Sequence, residues 1–229
     1  MPINNVVKIV GPALAVMVAL SACGGGSSTT AEGSQPPSSS SASAASADGS
    51  GARSYTAAAW ALPISSAGDK LGALKGDSFS VDIYQVATGV ASKDSSWVDK
   101  ETKESLLKKG DPIVYLNYVV TNTSAADIPL GEELITLGAK YEDWKYMVGM
   151  LSDSNSAGYE EHGLTNSGVK EEELAPFILK PGESFNIART IAYTAGKEAD
   201  VKATMTPENA AGDLDFDKEE EAETTVTLK

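Results

Sequence analysis

The residues whose type and placing bear on chemistry are few: one cysteine, one histidine, an alternating run of aspartates and an arginine set in an apolar stretch. The cysteine is Cys23, which follows Leu20-Ser21-Ala22 and precedes a glycine run. A lone cysteine leaves no intrachain disulfide and no multi-cysteine zinc or iron–sulfur site. The histidine is His162, in Tyr159-Glu160-Glu161-His162-Gly163. One imidazole without thiol partners falls short of the ligand set of a transition-metal site, so a surface-loop position is the expectation. Asp213, Asp215 and Asp217 place carboxylates at every second position, and Glu219, Glu220, Glu221 and Glu223 follow. Calcium takes clustered hard oxygens of this kind. An EF-hand loop opening at Asp213 would require Gly and Glu where the chain has Lys218 and Thr224. The expectation is therefore a solvated acidic edge that discourages strand pairing with neighbours, a divalent cation being the alternative.

Arg189 falls between Ile187 and Ile191 on the odd-numbered apolar face of residues 185–193. A guanidinium there needs an anionic partner, which a salt bridge to one of the many acids would provide. A rim position, with the stem packed and the head in water, is equally compatible, and an anionic ligand is the functional alternative. Ser105-Leu106-Leu107-Lys108 has the S-x-x-K spacing of penicillin-recognising enzymes, but no K-T-G follows. Gly182-Glu183-Ser184-Phe185-Asn186 lacks the closing glycine of a nucleophile elbow and opens a strand. A Ser-His-acid triad would have only His162 to draw on. These patterns assign no catalytic residue, no metal ligand set and no cofactor, and they lead to the expectation of a non-enzyme. Trp97, Trp144, Tyr141 and Tyr146 are candidate aromatic anchors for a partner or a sugar ring, with Trp144 expected in the core.

The elements around Cys23 give it a role. Residues 1–22 carry Lys8 and then an apolar run from Ile9 to Leu20. As a helix that run is about 18 Å long, against a bilayer core of about 30 Å that calls for about 20 residues. A positive start, a short apolar stretch and small residues make an export signal and not a span. Leu20-Ser21-Ala22-Cys23 resembles the lipobox of bacterial lipoproteins. The resemblance implies that a peptidase cuts before Cys23 and that its thiol carries a diacylglyceryl group. Acyl chains of that kind, palmitate among them, give stable anchoring in numbers greater than one, so the implied partner of this end is a membrane.

Residues 23–52 follow as the lipidated cysteine and a linker. Ten Ser and six Gly within residues 24–52 leave too little apolar surface to offset ordering entropy. The expected reach of the linker is on the order of 30 Å. Such a Ser/Gly/Ala stretch points to a Gram-positive envelope, with the domain on the extracytoplasmic face. The formal net charge of −14 argues against nucleic acid, which requires a basic footprint.

Residues 53–229 carry the fold and are long enough to bury a core without disulfides. Phe79, Val81 and Ile83 alternate with polar residues, and Val86 breaks the register, which predicts a bulge near Tyr84-Gln85. Residues 185–193 and the Val201, Ala203, Met205 series alternate in the same way, while Ile113 to Val120 is apolar on both faces, as in a central strand. Leu134–Tyr141, Trp144–Val148, Thr224–Leu228 and, more weakly, Tyr55–Trp60 are further strands. Turn chemistry separates them at Lys75-Gly76-Asp77, Lys109-Gly110-Asp111, Asn122-Thr123-Ser124 and Lys180-Pro181-Gly182-Glu183. Ser96 and Asp99 have capping-box spacing, which predicts a surface helix over 96–109. A second short helical turn is expected over Val169–Ala175. The fold class is all-β: an antiparallel sandwich with one or two short surface helices.

Residues 115–124, Ile128-Pro129-Leu130 and 179–184 resemble the immunoglobulin-like domains of bacterial lipoproteins, the DUF4352-like, telokin-like group. The resemblance spans residues 75–206 and implies an immunoglobulin-like sandwich with no transferable catalytic residues. The functional expectation is a lipid-anchored, non-catalytic binding or interaction module of the cell envelope with an envelope protein as its partner. The alternative is a small-ligand or Ca²⁺-binding accessory lipoprotein.

Overall fold

A computed structural model describes residues 54–147, 149–153 and 156–229. Ten strands dominate it: β1 (Thr56–Ala57), β2 (Asp69–Lys75), β3 (Phe79–Val90), β4 (Pro112–Asn122), β5 (Ile128–Leu130), β6 (Thr136–Lys140), β7 (Phe177–Leu179), β8 (Glu183–Ala192), β9 (Glu198–Met205) and β10 (Glu220–Thr227). One short helix, α1 (Ser156–Glu161), and a 3₁₀ turn at Phe216–Lys218 complete the elements. The strands form a five-stranded sheet in the order β1-β8-β4-β3-β2, a three-stranded sheet β10-β9-β6, and a ribbon β5-β7. All pairings are antiparallel except that of β1 with β8. The chain is an all-β sandwich, as its alternation predicts.

β4 is central because both of its faces are covered. Val114, Leu116, Tyr118 and Val120 join Val81, Ile83, Phe185, Ile187 and Ile191 in the main core, which the second sheet closes with Val201, Ala203, Met205 and Val226. On the opposite face Ile113 and Tyr115 form a second cluster with Ala188, Leu107, Tyr159 and Leu164. α1 and the segment between β3 and β4 thus cover what would otherwise be an exposed apolar sheet face. Tyr115 anchors this cover, meeting Tyr159 edge-on at 5.6 Å and the His162 ring at 4.7 Å. The predicted bulge in β3 is present, where the register shifts between Gln85 and Ala87.

Buried polar groups pin the layers together. Asp82, 3% exposed, accepts from Lys70 Nζ at 2.7 Å and from the Tyr55 hydroxyl at 2.6 Å, so Tyr55 is tied to β2 and β3. Burial, the Asp82 contact and the neighbouring Tyr84 push the Tyr55 hydroxyl far above its ordinary pKa. Asn122 Nδ2 donates to the carbonyls of Ala126 and Leu179, both at 2.8 Å, which joins β4 to the β5-β7 ribbon.

The predicted helix over 96–109 does not form. The chain makes an irregular flap there, closed by an antiparallel bridge between Val98 and Ser105. Asp99 spends its carboxylate on the amides of Glu101 and Thr102, and Lys103 adopts a left-handed backbone with φ 62°. The Ser105 hydroxyl donates to Leu107 O at 2.7 Å. Short polar side chains that bond nearby backbone compete with a helix, and only Leu107 of the flap's large apolar residues is buried. Val169–Ala175 likewise makes a bridge from Val169 to Ala61 and a turn at Lys170–Glu173, not a helix. Trp144–Met147 lies in a loop instead of a strand, and Val148 is outside the described residues.

Candidate functional site

Arg189 and Tyr118 are the two residues that make a candidate site. β4 and β8 pair so that Tyr118 faces Ile187 and Arg189 faces Leu116. Paired residues of an antiparallel ladder share a face, so Tyr118 and Arg189 are diagonal neighbours on the side turned toward the second sheet. Residues of β6 (Leu137, Ala139) and β7 (Phe177) share hollows with Arg189. The segments 132–135, 150–152 and 166–169 line the same hollows.

The expected salt bridge is absent: among the described residues Arg189 makes no ion pair. Its Nη1 donates to Asn166 O at 2.8 Å and to Ala188 O at 2.9 Å. Nε and Nη2 have no protein acceptor among the described residues. The structure therefore places the guanidinium half-buried between two apolar neighbours with donors to spare. Tyr118 is 1% exposed, and its hydroxyl makes no hydrogen bond among the described residues. Burial pushes this phenol well above its ordinary pKa, while the Arg189 charge pulls slightly the other way. At neutral pH the hydroxyl is a proton donor.

Three hollows meet at Arg189. The first, of about 230 Å³, is lined by Tyr118, Met150, Leu151 and Thr190 among others. A second of about 210 Å³ adds Asp153, Tyr159 and Asn166. The third is a groove of about 520 Å³ with apolar walls from Leu134, Ile135, Val169, Phe177 and Ile187 and with Glu132, Glu133 and Glu173 among its lining. The Asp153 carboxylate in the second hollow accepts from the Ser92 amide at 2.8 Å and the Ser92 hydroxyl at 3.0 Å. The arrangement can bind an acceptor group at the Arg189–Tyr118 end and an apolar body along the groove.

The other sequence candidates lie elsewhere. Cys23 and the signal and linker segments are outside the described residues. Asp213 and Asp217 are exposed on the loop between β9 and β10, and Asp215 pairs with Lys218 at 2.8 Å. Among the described residues no three acidic, histidine or cysteine side chains gather to hold a metal ion. His162 stands just past α1, half-buried against Tyr115, and is not part of the Arg189 hollows. Trp144 packs partly buried against the main core and meets Tyr146 at 5.0 Å, while Trp97 is 56% exposed on the flap. Tyr141 donates to Ala192 O at 2.5 Å, and Tyr146 bonds Asp99. Ser105 and Lys108 are turned to their own flap, Lys108 pairing with Glu104.

No protein-family model matches the chain, and no curated protein does. Solved structures similar to it include two crystal structures. One is ycdA, a candidate lipoprotein of Bacillus subtilis, at 16% identity over 68% of this chain and 38% of that one, with a TM-score of 0.37. This chain thus spans well under half of the Bacillus protein. The other is a functionally unknown protein from Listeria monocytogenes EGD-e, at 11% identity over 71% of this chain and 83% of that one, with a TM-score of 0.32.

Proposed function

We propose that this chain is a lipid-anchored, non-catalytic binding module displayed on the extracytoplasmic face of the cell membrane, in a Gram-positive envelope. The observation that carries the reading is the position of its single cysteine: Cys23 stands directly after Leu20-Ser21-Ala22, at the end of an export signal and before a Ser/Gly linker. An acylated Cys23 would hold the domain at the membrane, and the linker would let it reach beyond the headgroups. Among the described residues no helix is long and apolar enough to cross a membrane. Proximity crosslinking in intact cells, comparing the full chain with Cys23→Ala, tests the reading. The expected result is an envelope partner recovered with the wild type and lost on untethering. A Cys23→Ala chain that stays in the membrane fraction with the same neighbours would contradict it.

The small-ligand alternative is favoured by one observation, the unpaired donors of Arg189 and Tyr118 at a common hollow. The calcium alternative has no such support, because Asp213, Asp215 and Asp217 do not converge. Millimolar Ca²⁺ is expected to leave the melting temperature unchanged in differential scanning fluorimetry, and a clear rise would restore the cation reading.

A further inference from the structure

We infer that the hollow shared by Arg189 and Tyr118, with the groove that opens beside it, binds the carboxylate end of an apolar α-amino acid or of a short peptide ending in one. The inference rests on the binding-module reading and gives that module a ligand class.

The chemistry of the donors comes first. A tyrosine hydroxyl without a partner, on a side chain 1% exposed, and a guanidinium with Nε and Nη2 unused both face one hollow. A carboxylate is acceptor-only and meets a guanidinium in fork geometry, so it satisfies both groups at once. Among the described residues no carboxylate forms an ion pair with Arg189: Glu132, Glu133 and Glu173 line the groove without pairing with it, and Asp153, in the adjoining hollow, accepts from the Ser92 amide and hydroxyl. Shape comes next. The groove's volume of about 520 Å³ lies in the range of small-molecule sites, roughly 300–1,000 Å³. Its walls from Leu134, Ile135, Val169, Phe177 and Ile187 suit an aliphatic or aromatic body.

The surrounding charge narrows the class. Glu132, Glu133 and Glu173 line the groove, and the chain carries a net charge of −14. That field repels phosphate esters and dicarboxylates and favours a ligand with an ammonium group beside its carboxylate. An apolar amino acid combines all three at one centre, and a short peptide ending in one keeps the carboxylate and apolar body with its ammonium at the other end, within reach of the groove's glutamates.

Isothermal titration of the full chain in detergent, with L-leucine, L-phenylalanine, Ala-Ala-Leu, the C-terminal amide of that tripeptide and succinate, tests the inference. Binding of leucine, phenylalanine or the tripeptide is expected, with no binding of succinate. The amide should bind at least about tenfold more weakly, because it loses the charge-assisted pair. Tyr118→Phe, which removes only the hydroxyl, and Arg189→Gln should each weaken binding on the order of ten- to a hundredfold. Tyr118→Phe should keep the wild-type melting temperature. Binding of leucine or phenylalanine but not the tripeptide would assign a free amino acid, and the converse a peptide end. No binding of any amino acid or peptide, or equal binding of acid and amide, would overturn the inference. The same holds if Tyr118→Phe binds as the wild type does. Membrane fractionation of the wild-type chain separates this from the tether: a chain that is anchored yet binds none of these ligands counts only against the ligand class, and a chain that is not anchored counts against the module reading.

Discussion

Glu220, at the start of β10, turns its carboxylate to the β2–β3 turn, where it accepts from the amides of Asp77 and Ser78 and from the Ser78 hydroxyl. Gly76 makes room for it, since a Cβ at that position would land on the Glu220 carboxylate. Gly76→Ala should therefore cost about 0.5–1.5 kcal/mol, the net worth of hydrogen bonds whose donors water can reach, measured as a loss in chemical denaturation. Glu220→Ala should cost a similar amount, and the double variant less than the sum, because both changes break one contact. A Gly76→Ala protein as stable as the wild type would show that the contact is not made. Asp99 gives a pH-dependent prediction. The Tyr146 hydroxyl, then the Thr102 amide, Lys145 and the Glu101 amide hold its carboxyl far below the ordinary carboxylate range. A carboxyl depressed in the folded state stabilises fully above its unfolded pKa of about 3.9, and that contribution is withdrawn as pH falls below it. The gap in melting temperature between the wild type and Asp99→Asn should be wide at pH 7 and should narrow as pH is lowered to about 2. A gap independent of pH would contradict the assigned hydrogen bonds.

At the scale of elements, the flap between β3 and β4 and the helix α1 decide whether the outer face of the large sheet is covered. Leu107 is the flap's anchor, 4% exposed in the second cluster. Leu107→Ala should cost about 2–5 kcal/mol and speed hydrogen exchange across residues 93–109 while leaving β9 protected. Uniform exchange changes in flap and sheet would contradict a locally anchored flap. The same elements show what the sequence makes legible. β9 is readable because Ala199, Val201, Ala203 and Met205 are all buried at a period of two, and β3, β4 and β8 because most of one face is buried, the period broken only by the β3 bulge and by Arg189. β2 is not, because in Asp69–Lys75 only Leu74 is buried and a bulge after Lys70 breaks the register. The flap misleads because Ser96 and Asp99 have the spacing of a helix start, yet Asp99 uses its carboxylate to close a tight turn. Arg189 stands out in sequence as a charge on an apolar face. Tyr118 does not, since it reads as one more aromatic in a central strand. Only the register of β4 against β8 brings its hydroxyl to the same hollow.

For the molecule as a whole, the first described residues lie at the end of the large sheet where β8 begins: Thr56 pairs with Glu183, and Tyr55 is fastened to Asp82. The flap lies toward the other end, after the last residue of β3, with Trp97 and Val98 exposed on it. The central claim is the tether, and the mass of the intact protein extracted from the membranes of its host tests it most directly. The account predicts a chain beginning at Cys23 and heavier than its sequence by a diacylglyceryl group, with no such species from Cys23→Ala. A chain that retains residues 1–22, or one cut elsewhere with a free thiol at Cys23, would contradict it.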